Sequence, residues 1–318
     1  MRVEIHSGVF SVDDGVATAH DLIRLFLEGR HDWIVHPDQV DEVSDFFKRH
    51  FPTLSPVYTE FAVKASAAQA WMTHADAPLL VTAHTIHDDV WDLRQPAVLL
   101  VEDEFSDRCF LLAVARVFEM TSVAEAEATH RLDIRHCGGK DRAYRQALHV
   151  ASRFRRTIRA ALLLDSDRFA PGQVTRCHKI ADNARAVGVQ VHVLELREVE
   201  NYVPNKVLAM LQPIRETTKK IDALKTLTPE QRGYFDMKKG FPARGLSVSR
   251  VPPGHEALYD GVPNETIDKL REGFGSNLAE LMERAAADGR LTRSDFEKLG
   301  EGIATELRQL LAMLQRII

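Results

Sequence analysis

Cysteine is scarce. The chain has three in 318 residues, Cys109, Cys137 and Cys177, odd in number and widely spaced. No CxxC or zinc-ligand spacing occurs among them. That excludes a zinc ribbon and a disulfide-stapled scaffold, and leaves reduced thiols in a cytoplasmic protein as the expectation. Long apolar runs are missing too. None approaches the roughly 18 residues of a membrane span, and the opening MRVEIHSGVFSVDDG lacks the apolar stretch of a secretory signal. No membrane association is expected. A basic excess is also lacking: 41 Lys plus Arg stand against 46 Asp plus Glu, a formal net charge of −5. Nucleic acid held by bulk charge is therefore excluded, and any such binding has to use a local patch or a metal bridge. No GxxxxGK[ST] loop is present to cradle ATP phosphates.

What is there suits a globular chain with a sizeable core: 45% hydrophobic and 27% charged residues. The length accommodates two domains. Residues 1–95 read as a mixed α/β region. MRVEIHSGVF and HDWIVH have strand character, and Val40, Val43, Phe46 and Phe47 recur at helical spacing between Asp38 and His50. After a strand at Leu79–Ala83 comes HTIHDD. Its His84, His87, Asp88 and Asp89 are the one metal-like cluster of this region. No HExxH or HxH pattern supports a site, and a polar loop is expected.

From Ala97 onward, short apolar runs alternate with helical patterns. AVLLVED, RLDIRHCGGK, RAALLLDSD and VQVHVLELREVENYVP read as strands. FSDRCFLLAVARVFEM, DRAYRQALHVASRFRR and VTRCHKIADNARAVG read as helices, the last closed by Gly188. That alternation predicts βαβ units and a parallel sheet over residues 96–204. Runs such as LLV and ALLL lack period-two alternation, as strands covered on both faces do. Arg153, Arg155 and Arg156 in RFRR read as a solvated helix face, with tracking of a phosphate backbone as the sharper alternative. Residues 205–318 read as mainly helical and charged, interrupted by the Gly- and Pro-rich FDMKKGFPARGLSVSRVPPGHE. The closing ELRQLLAMLQRII carries an apolar stripe. It either covers the body or serves as a docking surface, the latter including self-association through Leu310, Leu311, Leu314 and Ile317.

The chemistry lies at the strand ends. Ligands of an open parallel sheet bind outside the carboxyl ends of its strands. One strand ends in Glu102, with Asp103, Glu104 and Asp107 behind it. Another ends in Asp165 and Asp167, and a third in Glu195, Glu198 and Glu200. Acids gathered at one edge repel unless a counter-charge joins them, and a hard divalent cation supplies one. Mg²⁺ keeps waters and few carboxylates, which suits phosphate substrates, and two such ions would clamp a phosphodiester. Lys140 after Gly138 and Gly139, or Lys238 and Lys239 in FDMKKGF, would neutralise phosphate charge.

LLVED, HCGGKD and LLLDSD, in that order, make the stretch Ala97–Pro204 resemble a TOPRIM domain, the catalytic fold of topoisomerases, primases and OLD-family nucleases. The resemblance covers about a third of the chain. LREVENYVP is similar to the OLD-like TOPRIM effectors of bacterial anti-phage systems. The family usually has Gly after its first Glu. This chain has Asp103, so Glu102 and Glu104 both compete for that role, with Glu102 preferred because it abuts LLV.

The resemblance implies an α/β fold with a Rossmann-like parallel sheet flanked by helices. It implies a metal-dependent nuclease acting on DNA or RNA with Mg²⁺ or Mn²⁺. Glu102, Asp165 and Asp167 would be catalytic and metal-binding, Asp107 and Glu198 or Glu200 would complete a second metal site, and Lys239, by the family's downstream lysine, would be a catalytic cation. With no ATP loop in the chain, a partner ATPase is expected. The alternatives are a non-catalytic metal-binding or interaction protein, and a primase- or topoisomerase-related TOPRIM enzyme.

Overall fold

The computed structural model describes residues 1–69, 77–241 and 254–318. The strands are β1 (Arg2–Ile5), β2 (Asp32–Ile34), β3 (Leu79–Val81), β4 (Ala97–Val101), β5 (Leu132–His136), β6 (Ala160–Leu164) and β7 (Gln190–Val193). The α-helices of the first part are α1 (Val16–Leu27), α2 (Val40–His50), α3 (Ser55–Gln69) and α4 (Ile86–Arg94). Around the second sheet come α5 (Glu104–Val117), α6 (Thr121–Ala128), α7 (Lys140–Ala151) and α8 (Arg176–Ala186). Beyond it lie α9 (Asn205–Leu208), α10 (Ile214–Leu224), α11 (Pro229–Gly233), α12 (Asn264–Lys269), α13 (Leu278–Ala287), α14 (Arg293–Glu297) and α15 (Ile303–Ile317).

Two parallel sheets organise the chain. The smaller has the order β2-β1-β3 and the larger β5-β4-β6-β7. Every residue of β4 and β6 is buried, which explains their unbroken apolar sequences. The edge strands β5 and β7 are only partly buried and carry polar residues. Successive side chains of the central strands face opposite layers. Val98, Leu100, Leu162 and Leu164 join the core under α7 and α8. Leu99, Val101, Ala161 and Leu163 join a larger core that takes in α5, α13 and α15. The small sheet has its own core, from Val3 to Leu93, rich in the rings of Phe26, Trp33, Phe46, Phe47 and Tyr58.

Two expectations change here, and the docking alternative for the terminal stripe gives way to its packing on the body. HTIHDD is not a loop. Thr82 and Thr85 turn the chain through the hydrogen bond of the Thr82 N–H to Thr85 Oγ1 (3.0 Å), and α4 starts at Ile86. Asp89 is then wholly buried against Arg156 (2.5 Å), and Asp92 accepts the backbone N–H groups of Arg155, Arg156 and Thr157. RFRR in turn is not a helix face. α7 stops at Ala151, and Arg155 and Arg156 are spent on Asp88 and Asp89. Docking through the terminal stripe is not open either: Leu310, Leu311 and Leu314 are 0% exposed and Ile317 4% within the single chain. The Gly- and Pro-rich loop falls largely on residues 242–253, outside the described residues. Among the described residues no helix is long and apolar enough to cross a membrane.

Candidate functional site: an acidic sheet edge

The strand order of the larger parallel sheet reverses at its centre. From β4 the chain passes to β5 on one side, and from β6 to β7 on the other. The carboxyl ends of β4 and β6 therefore flank the crevice where open α/β sheets bind ligands. Glu102 and Asp165 are the first residues beyond these two strands, and they touch: the Asp165 N–H donates to Glu102 Oε1 (3.1 Å).

Each neighbour is held by a local rule. Asp103 is the N-cap of α5, its Oδ1 accepting the N–H groups of Phe105 and Ser106 at 3.0 Å. One turn on, buried Asp107 reaches back, and its Oδ2 accepts the N–H groups of Glu102 and Asp103, both at 3.0 Å. Gly138 and Gly139 adopt φ of +79° and +82°, a region an L side chain enters only with strain. They launch α7 so that its first residue, Lys140, ion-pairs with Asp167 and with Glu102 (3.4 Å). Asp167 has φ +51°, unusual for a non-glycine residue and of a kind that gathers at functional sites. Asp165 Oδ1 accepts the Val199 N–H (3.2 Å), which draws in the segment after β7. That segment brings Glu198 and Glu200, nearly buried, to Lys238 at 2.7 and 3.1 Å.

The acids disturb one another. Burial, then the charge of Asp167 working against the pull of Lys140, lifts Glu102 to about 7. Burial lifts Asp107 to about 6, despite the backbone hydrogen bonds that favour its anion. Asp165 is raised well above the usual carboxyl range by burial and by the charges of Glu102, Asp107, Glu198 and Glu200. Burial also raises Glu200. Burial works against the ammonium of Lys140, but the hydrogen bond to Asp167 and the charge of Glu102 outweigh it and hold the lysine charged. Lys238 is kept charged in the same way by Glu198 and Glu200.

The expected residues thus divide. Glu102, Asp107, Asp165, Asp167, Glu198 and Glu200 gather at the edge with Lys140 and Lys238. Glu104 is exposed and accepts the His136 N–H (3.4 Å), so Glu102 is the acid that meets Asp165. Glu195 points away to Arg168 with a side chain 64% exposed. Lys239 is exposed, its backbone N–H capping onto Asp236, and Lys238 is the lysine among the acids. Arg197 is a participant the sequence did not flag. It lies 3.5 Å from Glu198 and stacks its guanidinium on Phe169 at 5.1 Å. Its only signal was a cation between two acids, Glu195 and Glu198, in ELREVE.

Six carboxylates stand against Lys140, Lys238 and Arg197, several of them pushed up by burial and then by one another's charge, and they offer the hard oxygen donors that a divalent cation takes. Among the described residues, though, no three His, Cys, Asp or Glu side chains already stand in a coordinating arrangement. Lys140 and Lys238 hold the positions between the acids. No family model matches the chain, and neither does any curated protein or any solved structure.

Proposed function

We propose that the chain is a TOPRIM-type nuclease, hydrolysing phosphodiester bonds of DNA or RNA with Mg²⁺ or Mn²⁺ at the acidic edge. The observation that carries this reading is the hydrogen-bonded meeting of Glu102 and Asp165 at the reversal point of the parallel sheet. Acids belong at such a point when the ligand brings its own cation. Glu102, Asp165 and Asp167 would hold one ion, and Asp107, Glu198 and Glu200 a second. The bound ions would polarise the phosphoryl oxygens.

The chain's own groups have complementary tasks. Glu102 would act either as an ion ligand or as the general base that takes a proton from the attacking water. Lys140 and Lys238 are firmly charged and stand among the acids, where a phosphate bearing developing negative charge would find them. In this reading both lysines exchange a carboxylate partner for the phosphate when cation and substrate enter. The resemblance of LREVENYVP to anti-phage effectors extends the proposal to a defence role, with ATP-dependent control supplied by a separate ATPase.

A second reading draws on Lys140. A lysine between Glu102 and Asp167 already neutralises part of the charge, as a purely structural ion pair would, and the protein would then bind partners without catalysis. Incubation with plasmid, linear DNA and tRNA in Mg²⁺, Mn²⁺ or EDTA separates the two. The nuclease reading expects metal-dependent cleavage, alone or with the neighbouring ATPase added, that disappears in Asp165→Asn. Cleavage retained in Asp165→Asn would refute the assignment of the site.

A further inference from the structure

Pro204 and Asn205 follow directly on the segment that bears Glu198 and Glu200, and they help line a cavity of about 410 Å³. None of the six clustered carboxylates lines it. Its polar wall consists of Asn205, Lys206, Lys225, Arg232, Asp295 and Lys298, with leucine and proline side chains between them. Four cations therefore face one carboxylate. Asp295 is shared by Lys206 at 3.6 Å and Lys298 at 4.0 Å, and it also accepts the N–H and hydroxyl of Thr292. Lys225 lies 3.2 Å from Asp222 on its own helix.

Arg232 is the unusual member. It is 7% exposed and has no acid partner among the described residues. Its terminal nitrogens donate to the carbonyls of Asn201 (2.8 Å) and Val203 (2.7 Å), while its buried Nε meets no acceptor, and the buried Asn205 Oδ1 no donor, among the described residues. A buried, unneutralised guanidinium is costly unless a counter-charge arrives. Both atoms are covered, so what the cavity presents to a ligand is the charge of Arg232 and the ammonium groups of its lysines. The volume lies within the range of small-molecule sites and exceeds what a bare oxyanion fills.

We propose that this cavity binds a phosphate-bearing ligand of about mononucleotide size, its anion neutralising Arg232 and the lysines. A free nucleotide or one nucleotide of a strand would supply that chemistry. The site is independent of the nuclease reading. Because Arg232 grips the carbonyls of Asn201 and Val203, occupancy would also steady the segment that carries Glu198 and Glu200.

Isothermal titration in metal-free buffer tests this, with adenosine monophosphate and a short single-stranded oligonucleotide as probes and inorganic phosphate as competitor. Lys206→Gln with Lys298→Gln is the main variant, because those side chains are 55% and 74% exposed and the fold does not depend on them. Arg232→Met is the second variant, read only if it folds by circular dichroism. The expected result is saturable binding by the wild type, displaced by phosphate and weakened at least tenfold in the double variant. Binding of the mononucleotide identifies a free ligand, and binding of the oligonucleotide alone identifies a strand phosphate. No saturable binding of either probe, or binding unchanged in the double variant, would overturn the proposal. Neither result depends on cleavage, so the nuclease reading stands or falls separately.

Discussion

Glu102→Gln should make the metal-free protein more stable at alkaline pH. The substituted amide retains an oxygen to accept the Asp165 N–H and removes the charge that burial and Asp167 oppose. The folded state lifts Glu102 from 4.5 to about 7. At 1.36 kcal/mol per pKa unit, the ionised carboxylate costs the folded state about 3 kcal/mol. The pull of Lys140 is already contained in that figure. Because the folded pKa lies above the unfolded one, the folded protein holds a proton that the unfolded chain has released between pH 4.5 and 7. Wild-type stability therefore falls as pH rises through this window, and the deficit is complete above it. The variant cannot titrate there. It should gain about 2–3 kcal/mol at pH 8, or roughly 3–5 °C in Tm for a chain of this size, and almost nothing at pH 4.5. Urea unfolding in EDTA at both pH values measures it. A variant less stable than wild type at pH 8, or a gain of equal size at pH 4.5, would show that Glu102 is not held against its charge.

Asp165→Asn should abolish activity without lowering metal-free stability, because burial and the neighbouring acids oppose the charge of the native carboxylate and Asn can still accept the Val199 N–H; activity and denaturation curves decide it together. Mg²⁺ at ten times its Kd should raise stability by about 1.4 kcal/mol at pH 8, and much less at pH 5, where Glu102 and Asp107 are protonated; thermal scans that rise equally at both pH values would place the ion elsewhere. Arg159→Met should cost about 3–5 kcal/mol, because this 2%-exposed guanidinium donates to the carbonyls of Asp92, Leu93, Gln95, Ile317 and Ile318, and a loss under 1 kcal/mol in urea would contradict that role.

The larger sheet was legible because its physics is local. AVLLV and AALLL can be buried on both faces only as central strands, and the acids that follow can lie only at the open edge. The pairing of Glu102 with Asp165 follows from that placement, and Gly138 and Gly139 announced the turn that delivers Lys140. What could not be read depends on partners distant in sequence. Asp89 looks like a loop acid until Arg156, 67 residues on, is set against it. The same contact removes RFRR from any solvated helix. Lys238 and Lys239 are indistinguishable as a dipeptide, and only the turn after Asp236 decides which one faces Glu198.

The Glu-Asn-Tyr triplet shows how far a motif can be read before its surroundings are known. As a motif it sits at the acidic edge, yet its three residues do different physical work. Glu200 joins Lys238 among the acids. Asn201 accepts the Glu198 N–H and donates to the carbonyls of Arg232 and Phe235, fixing the turn from which Glu198 and Glu200 project. Tyr202 is wholly buried. Its hydroxyl accepts the Leu196 N–H and donates to Glu306 on α15, at 2.7 Å to the nearer oxygen. Glu306 in turn accepts the Glu195 N–H and lies 3.2 Å from His192 on β7. The terminal helix therefore carries a polar anchor on its buried side, alongside Leu307, Leu310, Leu311 and Leu314. An apolar stripe alone would admit sliding by a turn, whereas a carboxylate that must meet a tyrosine hydroxyl fixes the register. The helix whose stripe offered a docking surface is instead the part that holds the acid-bearing segment after β7 in place, and a partner would have to be met by another surface.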